Sequence, residues 1–156
     1  MKKCYKDLKI LGICAGQGAL LFPWRKQLLG NIEPRAVFHT KKEEQWRLNF
    51  GEIPFLRNEL PEKWHPDIIL SSPDCGASST MRLSKAKELG NPEKNKSIQL
   101  VIEGIMQYQP KVFMIENVPR LMNLMPEKIW QEALPNYNIS FKVNSVSDFG
   151  TSQVSR

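Results

Sequence analysis

Cysteine and histidine are scarce in this chain of 156 residues, which contains three cysteines and two histidines. Cys4, Cys14 and Cys75 are widely spaced, and no pair has the CxxC spacing of zinc sites and thioredoxin-like redox sites. An odd number of cysteines also disfavours a disulfide framework. The sequence therefore predicts no metal site, and three free thiols suit a reduced, cytoplasmic compartment best.

Long apolar runs are missing as well. No stretch approaches the roughly 20 apolar residues that a membrane helix needs, and the first ten residues lack the apolar segment of a secretory signal. We therefore expect no membrane partner. What is present is an ordinary globular composition, 41% apolar and 24% charged, with a net charge of +6. This length suits one domain, 1–156, and the positive charge allows an anionic partner such as nucleic acid.

Short apolar runs alternate with helical patterns along the chain. We predict strands at 8–14, around Asn31–Glu33, at 65–72, at 110–118 and once or twice within 137–150. We predict helices at 19–29, 43–50, 97–108 and 127–134, and a mobile basic loop at 80–96. The helix at 97–108 has apolar residues at i, i+3, i+4 spacing: Ile98, Val101, Ile102, Ile105 and Met106. Strands that alternate with helices favour an α/β fold with a mostly parallel sheet flanked by helices.

In such sheets the ligand lies beyond the carboxyl ends of the strands. The Ala-Gly-Gln-Gly stretch that contains Gly16 and Gly18 follows the first predicted strand, and Glu33 lies at the end of the second. Glycines there let a backbone approach a ligand closely, and an acid can accept hydrogen bonds from ribose hydroxyls. A plain turn and a solvated glutamate explain these residues equally well.

Two further strand ends carry reactive side chains. Cys75 lies in the polar turn Ser-Ser-Pro-Asp-Cys-Gly, where an accessible thiol suits a nucleophile; the alternative is a half-buried free cysteine. Glu116 ends the predicted strand in Met-Ile-Glu-Asn-Val-Pro, where a partly desolvated carboxyl could donate a proton. The alternative there is a helix N-cap by Asn117 with Glu116 solvated. Near the carboxyl terminus, Arg156 could pair with a phosphate or stabilise a thiolate.

Together and in this order, the motifs resemble those of the DNA cytosine-5 methyltransferases, most of all the members that phages carry. The matching segments are Ala15–Gly18, Glu33, Gly51–Ile53, Pro73–Cys75 with Ser79, Glu116–Val118 and Gly150–Arg156. The resemblance implies a Rossmann-like methyltransferase fold that binds S-adenosyl-L-methionine. It also implies methyl transfer to C5 of a cytosine flipped out of double-stranded DNA.

The family's chemistry assigns a role to each matching residue. Cys75 would be the nucleophile that adds to C6 of cytosine, Glu116 would hydrogen-bond the base, and Arg156 would anchor it. The residues implied to bind the cofactor are Ala15, Gly16, Gly18, Glu33, Glu52, Ile53, Pro73 and Leu100. Those implied to contact the substrate are Ser79, Asn117, Val118 and Gln153.

The sequence also departs from the family pattern. Asp74 stands where the family usually has a second proline, and a carboxylate beside Cys75 disfavours a thiolate unless it points away. Cys14 replaces a phenylalanine, Glu52 an aspartate and Ser152 a proline. The sequence stops before the family's target-recognition domain, so we expect an incomplete catalytic core.

Three alternatives to DNA cytosine-5 methylation stay open. The chain could be a non-catalytic or split-enzyme fragment that binds the cofactor and needs a second polypeptide to supply the target-recognition domain. A relative that methylates cytosine C5 in transfer RNA would have the same core motifs. An N4-cytosine methyltransferase has a similar Ser-Pro turn, but it needs an aromatic side chain where this chain has Cys75.

Overall fold

The structure is a computed structural model, and it describes the carboxyl-terminal half of the chain more fully than the amino-terminal half. The described residues are 8–14, 32–38, 44, 47–48, 55–57, 60, 62–74, 95–145 and 148, of which 32–38 and 55–57 are described by their backbone. The strands of this part are β1 (Leu8–Ile13), β2 (Ile32–Phe38), β3 (Phe55–Arg57), β4 (Ile68–Ser71) and β5 (Val112–Ile115). Its helices of five residues or more are α1 (Lys96–Tyr108), α2 (Arg120–Leu124) and α3 (Glu127–Ala133).

The described strands form one parallel sheet in the order β3-β2-β1-β4-β5. The chain builds outward from β1 in one direction through β2 and β3, and then in the other through β4 and β5. The strand order therefore reverses between β1 and β4, and in doubly wound sheets such a reversal opens the crevice that binds ligands. The predicted α/β class with a parallel sheet is confirmed.

Helix α1 covers one face of the sheet and forms the core with it. Its buried residues Ile98, Val101 and Ile105 join Leu11 and Ile13 of β1 in one apolar cluster. Gly104 permits this close packing, because a Cβ at that position would collide with the Cδ1 atom of Ile13. The predicted apolar face is correct except at Met106, which is 58% exposed.

Asp67 ties the amino-terminal ends of three strands together. Its carboxylate accepts hydrogen bonds from the backbone N–H of Lys9 at 3.1 Å and from Nζ of Lys111 at 2.7 Å. These two bonds, the Lys111 bond first, hold the pKa of the Asp67 carboxyl below its usual value. The pair with Lys111 is largely exposed and contributes little to stability, so its main effect is to align the strand ends.

The structure corrects several predicted boundaries. The second strand is Ile32–Phe38 and runs through Pro34, rather than ending near Glu33. Strand β3 pairs only with Ala36 to Phe38, so among the described strands the amino-terminal half of β2 pairs with β1 alone. A proline is tolerated there because a strand that is paired on one side does not need every backbone N–H for the sheet. The strand predicted at 65–72 is β4, which begins at Ile68, three residues after the predicted start. Strand β3 and helix α2 were not predicted, because both are very short.

The strands predicted within 137–150 are wrong for the residues that the structure describes there, since none of them is in a strand. Tyr137, Ile139 and Phe141 are nevertheless partly buried against the core. The alternation of apolar and polar residues therefore reflects a segment that packs one side against the core and that forms no strand among its described residues. The predicted helix at 19–29 and all but the last two residues of the predicted loop at 80–96 lie outside the described residues. No helix in the described part is long and apolar enough to cross a membrane.

Candidate functional site

Three neighbouring strands end at the same level, and their polar continuations meet there. Ile13, Ser71 and Ile115 are aligned across β1, β4 and β5. The hydroxyl of Ser71 donates to the carbonyl of Ile13 at 2.6 Å, and the N–H of Glu116 donates to the carbonyl of Ser71 at 2.8 Å. These bonds hold the last residues of β1 and β4 and the first residue after β5 together, at the edge where the sequence predicts a site.

Glu116 lies at this edge with its carboxylate oriented by a neighbouring strand end. The hydroxyl of Ser72 donates to Oε2 of Glu116 at 2.8 Å. Glu116 is exposed in this structure, whereas the sequence predicted a partly desolvated carboxyl. An exposed, oriented carboxylate can accept or share a hydrogen bond with a base that enters the site.

Asn117 joins the end of β5 to the turn that follows β4. Its Nδ2 donates to the carbonyl of Pro73 at 2.9 Å, and its Oδ1 accepts from the N–H of Val118 at 3.0 Å. It does not cap the next helix, because α2 begins after Pro119 without a side-chain cap. Both ends of the amide are therefore used within the protein, which indicates that Asn117 positions the turn. The predicted substrate contacts of Asn117 and of the exposed Val118 stay predictions.

A buried pair of polar residues supports the same turn, and the sequence interpretation missed both. Ser97 and Asn95 are 6% and 7% exposed. Ser97 Oγ accepts from the N–H of Asp74 at 3.1 Å and donates to Oδ1 of Asn95 at 2.8 Å. Asn95 also caps α1, since Oδ1 accepts from the N–H groups of Ser97 and Ile98. An Asn two residues before a serine and an apolar helix face is an N-cap signal, but assigning 80–96 to a loop obscured it.

Cys14 follows β1 and is a poor candidate for the nucleophile. Its backbone is left-handed, with φ 53°, and its side chain is buried. The thiol donates a hydrogen bond to the carbonyl of Ser97, with sulfur and oxygen 3.8 Å apart. Burial first, and then the negative charge of Asp74, raise the pKa of the Cys14 thiol to about 12. The thiol is therefore protonated at neutral pH, and its role is packing.

The structure bears on the predicted cofactor residues in three ways. Cys14 has a left-handed backbone and follows β1 where the strand order reverses, which is where doubly wound sheets bind their ligands. Pro73 is buried in the turn after β4. Leu100 is partly buried and packs against the core. The first two of these observations are compatible with a nucleoside-like cofactor held over β1 and β4.

Glu33 does not lie where the sequence interpretation placed it. It is the second residue of β2 and pairs with Lys9, at the amino-terminal end of the sheet. The strand continues to Phe38, about 16 Å further along an extended backbone. The prediction that Glu33 lies at the end of its strand is therefore wrong. Pro34 suggested a strand end, whereas the chain continues straight through it.

The remaining predicted residues lie outside the described part of the chain. These residues are Ala15, Gly16, Gly18, Glu52, Ile53, Cys75, Ser79, Gln153 and Arg156. Ser72–Asp74 is the described segment that directly precedes Cys75 in the sequence. Among the described residues, no three His, Cys, Asp or Glu side chains group together in a way that could hold a metal ion.

Known proteins with a similar sequence or fold are methyltransferases. A profile of the family described as C-5 cytosine-specific DNA methylase matches residues 31–156. The Type II methyltransferase M.Bpa9945I of Bacillus paralicheniformis is 32% identical over 92 residues, which are 58% of this chain and 20% of that protein. The chain therefore spans about a fifth of the length of this curated relative.

Two solved structures have the same fold at low sequence identity. The methyltransferase EhMeth of Entamoeba histolytica superposes with a TM-score of 0.64 at 17% identity, over 92% of this chain and 49% of that one. The Dnmt2 methyltransferase of S. pombe superposes with a TM-score of 0.57 at 16% identity, over 83% of this chain and 39% of that one. These likenesses confirm the predicted Rossmann-like fold with a parallel sheet flanked by helices.

Proposed function

The chain belongs to the family of C-5 cytosine-specific DNA methylases, and we propose that it transfers a methyl group to C5 of cytosine in DNA. One observation carries this proposal beyond family membership. The turn that leads to Cys75 is bonded to the strand end that carries Glu116, through Asn117 Nδ2 to Pro73 O at 2.9 Å and Ser72 Oγ to Glu116 Oε2 at 2.8 Å. This bonding supports the proposal, because it holds the strand end that carries Glu116 against the segment that leads to Cys75.

The proposed mechanism gives Cys75 the covalent step. C5 of cytosine is a weak nucleophile, so the Cys75 thiolate adds to C6 and forms a carbon–sulfur bond, which makes C5 electron-rich. Glu116 hydrogen-bonds the N3 edge of the ring and supports its protonation during this addition. Bound S-adenosylmethionine would supply the methyl group to C5, and its sulfur would leave as a neutral thioether. Loss of the C5 proton to a base, return of the N3 proton, and departure of the Cys75 sulfur from C6 as a thiolate would then restore the aromatic ring. The target base must first leave the double helix to reach the site.

S-adenosylmethionine supplies, when bound, a methyl group on a sulfonium that an electron-rich carbon can attack. The residues proposed to hold it are the loop Ala15 to Gly18 after β1, Pro73 in the turn after β4, and Leu100, with Glu52 and Ile53. Glu33 is left out because β2 places it at the opposite edge of the sheet. The net charge of +6 favours an anionic polymer such as DNA as the substrate.

A methylation assay tests the proposal directly. The chain is incubated with double-stranded DNA and S-adenosylmethionine labelled in its methyl group, and the DNA is digested to nucleosides. We expect the label in 5-methylcytosine. Label in N4-methylcytosine, or in transfer RNA but not in DNA, would contradict the proposal in favour of the corresponding alternative. Cofactor binding measured by calorimetry, with no product on any nucleic acid, would favour a chain that needs a second polypeptide.

Replacing Glu116 with glutamine is expected to slow methyl transfer by about 100-fold, because a positioned acid or base contributes about 10²- to 10⁴-fold. Glutamine keeps the size and one oxygen for the Ser72 hydroxyl, but it cannot share a proton with the ring. The measurement is the single-turnover rate at saturating cofactor. Glu103→Gln is the matched control, because Glu103 is an exposed glutamate on α1. Equal rates for the two variants would remove Glu116 from the mechanism.

A further inference from the structure

One peptide unit in the turn before Cys75 is held at both of its polar ends. The carbonyl of Pro73 accepts from Asn117 Nδ2 at 2.9 Å. The N–H of the same unit, which belongs to Asp74, donates to Ser97 Oγ at 3.1 Å. The two side chains come from different elements, since Asn117 follows β5 and Ser97 lies in the first turn of α1. Rotation of this peptide plane therefore requires both bonds to break.

The bond on the Asp74 side uses a group that proline lacks. Asp74 occupies the position at which the family pattern has a second proline. A proline ring fixes φ near −65° and removes the N–H. Asp74 has neither property, so its backbone is free to rotate unless a contact restrains it. The hydrogen bond from its N–H to Ser97 supplies that contact.

Ser97 is itself held in place. Its hydroxyl donates to Asn95 Oδ1 at 2.8 Å, so its own lone pair points to the Asp74 N–H. Asn95 is fixed in turn as the N-cap of α1. Both side chains are more than nine-tenths buried, so water competes poorly for these bonds. The hydrogen bonds from Asn95 through Ser97 thus restrain Asp74, the residue before Cys75.

We propose that Ser97, held by Asn95, is a positioning residue that fixes the turn carrying Cys75, through a hydrogen bond that takes the place of a proline ring. The inference rests on the proposed function, because the turn matters for catalysis only if Cys75 is the nucleophile. It also assigns Asp74 a role through its backbone N–H.

Four variants test this inference: Ser97→Ala, Ser97→Thr, Asp74→Pro and the double variant Ser97→Ala with Asp74→Pro. The main readout is the rate at which the chain forms a covalent adduct with DNA that contains 5-fluorocytosine, in the presence of S-adenosylmethionine. Losing one buried hydrogen bond that aligns a nucleophile is expected to slow this rate about tenfold in Ser97→Ala. Ser97→Thr keeps the hydroxyl and should restore the rate.

The double variant separates positioning from general destabilisation. In the Asp74→Pro background the N–H is absent and the ring restrains the backbone, so Ser97→Ala should have no further effect on the adduct rate. An equal slowing in both backgrounds would overturn the inference, as would an unchanged rate in Ser97→Ala alone. Ser140→Ala, at an exposed serine, is the matched control for a lost hydroxyl.

A second readout needs no DNA and keeps the inference distinct from the proposed function. Amide hydrogen exchange reports the Asp74 N–H, and alkylation by iodoacetamide reports the Cys75 thiol. Ser97→Ala should speed exchange at Asp74 and change the alkylation rate of Cys75. If the unmodified chain forms no adduct, the proposed function fails, yet these two rates still decide the inference. Faster exchange with unchanged alkylation would show that the bond exists and does not position the thiol.

Discussion

Replacing Cys75 with serine is expected to abolish the covalent adduct with DNA that contains 5-fluorocytosine, while replacing Cys14 with alanine leaves adduct formation intact. Fluorine at C5 cannot leave as a proton does, so a thiol that has added to C6 stays attached. Serine has a hydroxyl of much lower acidity and nucleophilicity at neutral pH. The measurement is a shift in migration of the denatured protein after incubation with DNA and cofactor.

The prediction for Cys14 rests on its surroundings in the structure. Cys14 is 7% exposed, its thiol donates to the carbonyl of Ser97, and its pKa is raised to about 12. Such a thiol is neither ionised nor reachable by a base. Cys75 follows a turn whose last described residue, Asp74, is exposed. An adduct that persists in Cys75→Ser and disappears in Cys14→Ala would reverse the assignment.

Replacing Ile105 with alanine is expected to lower the free energy of unfolding by about 3 kcal/mol, as large-to-small changes of buried isoleucines do. Ile105 is fully buried in α1, within the cluster that joins this helix to Leu11 and Ile13 of β1. Removing its side chain leaves a cavity between helix and sheet. Urea unfolding followed by circular dichroism measures the change, provided that the slope with denaturant stays constant.

The neighbouring residue of the same helix provides the control. Met106 is 58% exposed, so Met106→Ala should change the free energy of unfolding by no more than about 0.5 kcal/mol. The apolar pattern of the sequence assigned both residues to the buried face. Similar destabilisation by the two substitutions would favour that pattern over the structure, and would place an apolar partner against Met106.

The sequence by itself determined the class of fold and the order of the motifs. Apolar runs that alternate with helical patterns predict a parallel α/β sheet, because buried parallel strands need apolar side chains on both faces and a helical crossover between them. The bounds of helix α1 were predicted to within one residue, because its apolar residues recur at regular spacing along the segment. The methylase resemblance likewise came from residues in order along the chain, and a family profile matches residues 31–156.

Tertiary structure alone decided which residues lie at the same edge of the sheet and which backbone and side-chain groups form hydrogen bonds there. Glu33 looked like a strand end because a proline follows it, but pairing with Lys9 places it at the other end of the sheet. Register depends on partner strands far away in sequence, so no local pattern reveals it. The hydrogen bond of the Asp74 N–H could not be predicted from the sequence for a related reason. Its backbone N–H finds Ser97, 23 positions away, only once α1 packs beside β4.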